Sequence, residues 1–215
     1  MKNKFLLLIT LLFVVFLNEK ASGQYVKYNE LSALPDADIY DINGVHTTLH
    51  ALAKNKVLFV DCWFIPCGEC FMAMGVLHKV YAEYAGNKNF CFITLCMTDS
   101  TQVKQFIKQD TVMKGYISQF QYFSGLKNFK LPVYFIDGCN SKVPTNTKIL
   151  SHFAPDDKSK CPDVLFKFIG YPTSMIYNKK GELIFKENGF DDPNKYEERL
   201  TKALNDVLAE NVSKP

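Results

Sequence analysis

The hydrophobic pattern changes period several times along the chain, and the order of those changes predicts an α/β fold. Ile39 to Ile42, then Asn43-Gly44, then Val45 to Thr47 predict a β-hairpin, with Asn-Gly supplying the positive φ of a tight I′ turn. Val57 to Val60 is a short, uninterrupted apolar run, as expected of a strand covered on both faces. From Gly68 to about Ala85 the period becomes helical, with Phe71, Met74, Leu77 and Tyr81 on one stripe, and Phe90 to Leu95 is a second buried strand. Val103, Phe106 and Ile107 mark a short helix, Val133 to Ile136 a strand, and Asp163 to Phe168 a helical turn or two. Ser174 to Tyr177 and Leu183 to Phe185 flank the turn residues Asn178-Lys179-Lys180-Gly181. Tyr196, Leu200, Ala203, Leu204 and Val207 then give a closing amphipathic helix, started by Asp192-Pro193. Strand, helix, strand, helix, antiparallel hairpin and helix together predict a central mixed sheet with helices on both faces.

The N-terminus carries a different signal. Lys2 and Lys4 precede an apolar run from Phe5 to Leu17, and a polar stretch ends in Ala21-Ser22-Gly23. The run is shorter than the roughly 20 residues of a membrane span. Residues 1–23 are therefore read as a secretory signal peptide, cut before Gln24, and the mature chain as exported, periplasmic or otherwise extracytoplasmic, without stable membrane insertion. Residues 24–37 are read as a linker and 38–210 as one domain, interrupted by a polar insertion at about 138–162. With a net charge of +3 and lysines scattered among acids, no basic stripe suggests nucleic acid as a partner.

Candidate chemistry is concentrated between Asp61 and Cys70, where a buried strand gives way to a helix. Two cysteines three apart close a disulfide across a first helical turn. The first of them, Cys67, faces unsatisfied backbone N–H groups that stabilise a thiolate, which makes it the expected nucleophile. Cys70, one turn in, would resolve a mixed disulfide by attacking Cys67. The competing reading of the same spacing is half of a zinc site, but the sequence has no second CxxC or His pair to complete it. Cys62, Cys91 and Cys96 lie in apolar strands as small buried hydrophobes, and the four histidines, His46, His50, His78 and His152, read as surface residues. Cys139 and Cys161 bracket the insertion, where a disulfide in an oxidising compartment would pin its base.

These residues resemble the thioredoxin superfamily, and more narrowly the exported TlpA/ResA-type thiol:disulfide oxidoreductases, from roughly Ile39 to the C-terminal helix. The resemblance implies a thioredoxin fold with an N-terminal β-hairpin and an insertion before a strand opened by a cis-proline. It implies a buried proton-relaying acid at Asp61, six residues before Cys67, and a tryptophan at Trp63 that covers the redox pair and takes part in substrate binding, a position for which a large core aromatic is the equal reading. It also implies a cis-proline at Pro172 in Gly170-Tyr171-Pro172-Thr173, with Tyr171 offering backbone groups to a substrate. Three positions depart from the pattern. Gly75 stands where thioredoxins have a helix proline, Ala73 where the ResA type has an acid, and Glu69 where proline is common between the cysteines. Glu69 opposes the thiolate and leaves the potential open.

The expected function is thiol:disulfide exchange on protein thiols or disulfides, in the reducing direction, with no dissociable cofactor. Regeneration then calls for a membrane thiol-transfer electron donor, as the resemblance implies. A peroxiredoxin-type peroxidase fails on Val60 and Phe64, where its pattern needs Pro and Thr. From another class, the dithiol could serve as a soft ligand pair in a copper-binding or copper-delivery module.

Overall fold

The computed structural model describes residues 32–145 and 157–210. The segment read as a signal peptide, the start of the linker and the centre of the insertion lie outside the described residues. Seven strands form one sheet in the order β2-β1-β5-β4-β3-β6-β7. They are β1 (Asp38–Asp41), β2 (His46–Thr48), β3 (Val57–Trp63), β4 (Phe90–Cys96), β5 (Val133–Ile136), β6 (Thr173–Tyr177) and β7 (Leu183–Asn188). β3, β4 and β5 run parallel, and the remaining neighbours are antiparallel. The helices are α1 (Leu49–Ala53), α2 (Gly68–Tyr84), α3 (Ser100–Ile107), α4 (Lys114–Ser124), α5 (Pro162–Leu165) and α6 (Pro193–Glu210).

All seven residues of β3 are buried, which explains its lack of polar alternation. Its side chains nevertheless alternate between two cores. Val57, Phe59 and Trp63 join the layer of α2, α4 and α6, together with Cys67, Cys70, Leu77, Phe120, Tyr196 and Leu200. Leu58, Val60 and Cys62 join the other layer, with Leu49, Phe166, Phe168, Cys139 and Cys161. By the same alternation Asp61 faces the layer that holds the Cys67–Cys70 turn.

Both hairpins use one device, which differs from the I′ turn expected at Asn43-Gly44. Asp41 Oδ1 accepts from the backbone N–H groups of Asn43 and Val45, each at 2.8 Å, and only Gly44 takes a positive φ, +87°. Asn178 Oδ1 likewise accepts from Lys180 N (2.9 Å) and Glu182 N (3.0 Å), with Gly181 at φ +77°. A side-chain acceptor organises each reversal and one left-handed glycine completes it, so the second positive φ of a I′ turn is not needed.

Three further differences have physical causes. Part of the stretch read as a linker is tied to the last hairpin: Ala33 bridges Glu182, and Leu34 is buried with its N–H on Gly181 O at 2.8 Å. Helix α4 has no counterpart in the periodicity reading, because only Ile117 and Phe120 are buried along it. Gly75 sits at the crossing of α2 and α4, where a Cβ would lie 2.9 Å from the Ser124 carbonyl oxygen. The glycine allows a close backbone approach, and α2 runs without a break from Gly68 to Tyr84.

Candidate active site

The site begins where β3 ends. Phe64 to Pro66 carry the chain out of the sheet, and Cys67 becomes the N-cap of α2 with φ −85° and ψ 101°. Its Sγ accepts from Cys70 N at 3.1 Å, a donor that the helix leaves free in its first turn. Cys67 and Cys70 are joined by a disulfide with a Cα–Cα distance of 5.2 Å. Cys67 is 7% exposed and Cys70 1%, so an incoming thiol or disulfide reaches Cys67 first. The helix N-terminus favours negative charge at Cys67 Sγ once the pair is reduced. Glu69, between them, is solvent-exposed.

Asp61 is 1% exposed and, by the alternation of β3, faces the layer that holds this turn. Burial pushes its carboxyl up from 3.8 to about 8, against a lowering by the Ser174 hydrogen bond. Ser174 Oγ donates to Asp61 Oδ1 at 2.7 Å and contacts the Tyr196 hydroxyl at 2.6 Å. Asp61 Oδ2 has no hydrogen-bond partner among the described residues. Burial also raises the Tyr196 phenol well above its usual range, with the Asp61 charge adding to it.

Tyr171-Pro172 is a cis peptide. β6 starts one residue later, and its Thr173 pairs with Cys62, so Pro172 is placed beside the end of β3 that leads to the Cys67–Cys70 turn. Pro172 O accepts from Gly189 N at 2.7 Å. The Tyr171 ring packs edge-on against Phe64 and Phe168, and its hydroxyl donates to Asp163 at 3.4 Å. Ile169, two residues earlier, is wholly exposed. Exposed Met72 and Phe123 add apolar surface, with Phe123 Cε2 3.9 Å from where a Gly68 Cβ would be.

Trp63 requires a correction. It has no exposed surface, stacks on Phe129 at 5.1 Å and tilts against Phe106 at 6.4 Å, so it is a core residue beneath the site and not part of a substrate-facing surface. Its place on an inward-facing position of β3 is the reason. His78 is also not a surface residue. It is half-buried, bonded to Met74 O (2.8 Å) and accepting from Lys130 N (2.9 Å), and burial lowers its pKa.

Cys139 and Cys161 are joined by a second disulfide, Cα–Cα 5.0 Å, in the opposite core layer. Cys62, Cys91 and Cys96 are free thiols whose pKa values burial raises, Cys96 to about 12. Sequence reasoning missed Ser174 and Tyr196. A serine in the apolar strand Thr173–Tyr177 was the one available signal, since a hydroxyl in a buried strand needs a partner.

Comparison with solved structures decides the architecture. The C-terminal domain of a proposed thiol-disulfide oxidoreductase from Bacteroides thetaiotaomicron superposes with a TM-score of 0.55 at 16% identity, over 84% of this chain and 97% of the other. The chain has a thioredoxin fold. A proposed thiol:disulfide interchange protein, DsbE, from Chlorobium tepidum gives 0.53 at 17% identity over 84% of this chain and 98% of its own. A thiol-disulfide oxidoreductase from Bacteroides fragilis gives 0.50 at 15%, over 83% and 98%. No family model and no curated protein matches the sequence. Among the described residues no helix is long and apolar enough to cross a membrane.

Proposed function

We propose that this protein is an extracytoplasmic thiol:disulfide oxidoreductase that reduces protein disulfides through Cys67 and Cys70. One observation carries the reading: a bonded cysteine pair caps a helix at the end of an interior, fully buried strand of a thioredoxin fold, and a buried carboxyl of that strand faces the same core layer. The Cys67 thiolate, held by the helix N-terminus and Cys70 N–H, attacks a substrate disulfide, and one substrate sulfur leaves as thiolate. Cys70 gives its proton to Asp61 and attacks Cys67 Sγ. The Cys67–Cys70 bond forms, the mixed disulfide breaks, and the substrate departs reduced.

The backbone at Tyr171-Pro172 is the proposed pairing site for an extended substrate, and the apolar rim of Ile169, Met72 and Phe123 suits a protein partner. The reducing direction is supported by charge: the exposed carboxylate of Glu69, between the cysteines, opposes a thiolate and so favours the disulfide form of the pair over the dithiol. Electrons would come from a membrane thiol-transfer protein, and export would follow from the N-terminal segment. The Cys139–Cys161 disulfide is assigned a structural role.

The test is a redox titration of the purified protein against dithiothreitol or glutathione, read by the fluorescence of Trp63, the sole tryptophan and a core neighbour of the pair. A midpoint near about −270 mV supports a reductant, and one near about −120 mV an oxidant. Absence of a reversible two-electron transition, together with tight Cu(I) binding, would replace this reading with the soft-metal one.

A further inference from the structure

The geometry points to Ser174 and Tyr196 as positioning residues for the proton transfer that lets Cys70 resolve the mixed disulfide. This inference rests on the redox reading above. Ser174 has one hydroxyl hydrogen, and it is given to Asp61 Oδ1 at 2.7 Å. Ser174 Oγ can then only accept at its 2.6 Å contact with Tyr196, so the phenol donates. The result is a one-way chain, Tyr196 to Ser174 to Asp61, drawn from α6, β6 and β3.

The chain accounts for the unpartnered oxygen. Buried polar atoms are nearly always paired, and an exception calls for a reason. With Oδ1 occupied by Ser174, Oδ2 is the oxygen of Asp61 left open, and Asp61 faces the layer of α2. Ser174 thus fixes which oxygen receives a proton, and Tyr196 fixes Ser174. The other groups around Asp61 do not compete for that role. Thr94, its register neighbour on β4, gives its hydroxyl to Pro132 O at 2.9 Å. Cys67 and Cys70 of α2 are the reacting pair. Glu187 and Arg199 act on Tyr196 and pair with each other.

In the step itself the Cys70 Sγ–H proton passes to Asp61 Oδ2, and the Cys70 thiolate attacks Cys67 Sγ. The Cys67–Cys70 bond forms as the Cys67–substrate bond breaks, and the electron pair leaves on the substrate sulfur. Asp61 must be ionised to accept, so a hydrogen bond that stabilises its carboxylate sets the pH range of the step.

The experiment follows both steps in one trace. Reduced protein is mixed by stopped flow with a nitroaryl disulfide, whose coloured thiolate is released once on attack by Cys67 and once on resolution by Cys70. Ser174→Ala is expected to move the pH midpoint of the second phase upward by about one unit, slowing it about tenfold relative to the first phase below that midpoint. Tyr196→Phe should move it the same way by less, and Ser174→Thr, which keeps a hydroxyl, should return it. In an Asp61→Asn background Ser174→Ala should have no further effect on the second phase. The infrared carboxyl band of Asp61, followed in the oxidised protein, should titrate at higher pH in Ser174→Ala, independently of turnover. An unchanged second-phase midpoint and an unchanged carboxyl titration in both variants would overturn the inference and leave the redox reading standing. A parent protein with no first phase would remove the redox reading and this inference with it.

Discussion

Asp61→Asn is expected to stabilise the folded protein at neutral pH, by an amount that grows with pH. Burial moves the Asp61 carboxyl from 3.8 to about 8 in the folded state. Below 3.8 both states hold the proton, and above about 8 neither does. Between these values the unfolded chain has shed it while the native protein retains it, so stability is lost as pH rises, at about 1.36 kcal/mol per unit. Over the roughly three units from 3.8 to neutrality the loss is about 4 kcal/mol. Asparagine does not ionise and escapes it. Against this, the Oδ2 position has no partner among the described residues, so an amide N–H placed there costs about 1–3 kcal/mol at every pH.

The net gain near neutrality is therefore about 1–3 kcal/mol. The pH dependence is free of the fixed amide cost. Urea unfolding of the parent and the variant, with Cys67–Cys70 kept oxidised so that the pair does not titrate, should show their difference widening by about 3 kcal/mol from about pH 5 to about pH 7. A difference that stays flat over that interval would refute the claim that Asp61 is held neutral by burial.

Replacing Cys139 and Cys161 together by serine closes no loop over their separation of 22 residues, and the chain-entropy relation gives a loss of about 3 kcal/mol, measurable as a lower urea midpoint. Gly75→Val should lower stability by about 1–3 kcal/mol, because its Cβ meets the Ser124 carbonyl at 2.9 Å and two helix backbones must part; calorimetry would show it as a lower Tm. His78 accepts from Lys130 N and is held neutral by burial, so its contribution is present above its unfolded value of 6.5 and lost as pH falls through its lowered folded value. His78→Gln should flatten the acid limb of the stability profile in that range. In Cys70→Ser a substrate-protein disulfide on Cys67 should persist, whereas Cys67→Ser should trap none, as read by mass spectrometry of alkylated complexes.

The parts of the fold legible in the sequence are those whose signal is local. β3, β4 and β6 are built around apolar runs because sheet neighbours and helical layers cover both faces, and α6 shows its buried Tyr196, Leu200, Leu204 and Val207 at helical spacing. Cys67 and Cys70 announce themselves by spacing and by their place between strand and helix. Helix α4 stayed hidden because its aromatic residues point both ways: Phe120 is buried, whereas Tyr122 and Phe123 are exposed. Helix α1 is too short for a period to show. The surroundings of Asp61 were illegible for another reason. Ser174 is 113 positions away, and only the pairing of β6 with β3 and the packing of α6 beneath them bring the three groups together. Trp63 stood open between a cover over the redox pair and a core aromatic, because the alternation of β3 gives the layer it faces but not whether Phe106 and Phe129 close over it.

The position of β3 has a consequence for partial opening of the molecule. Proteins open in cooperative units, and the segments with fewest buried contacts open first. Here the outermost strand β2 has only three residues, none of them buried, while β3 is wholly enclosed between β4 and β6. Amide hydrogens of β1 and β2 should therefore exchange well before those of β3. Excursions that release the hairpin leave the Cys67 turn on its anchorage, so the exchange chemistry outlasts local unfolding and ends only when the sheet itself gives way.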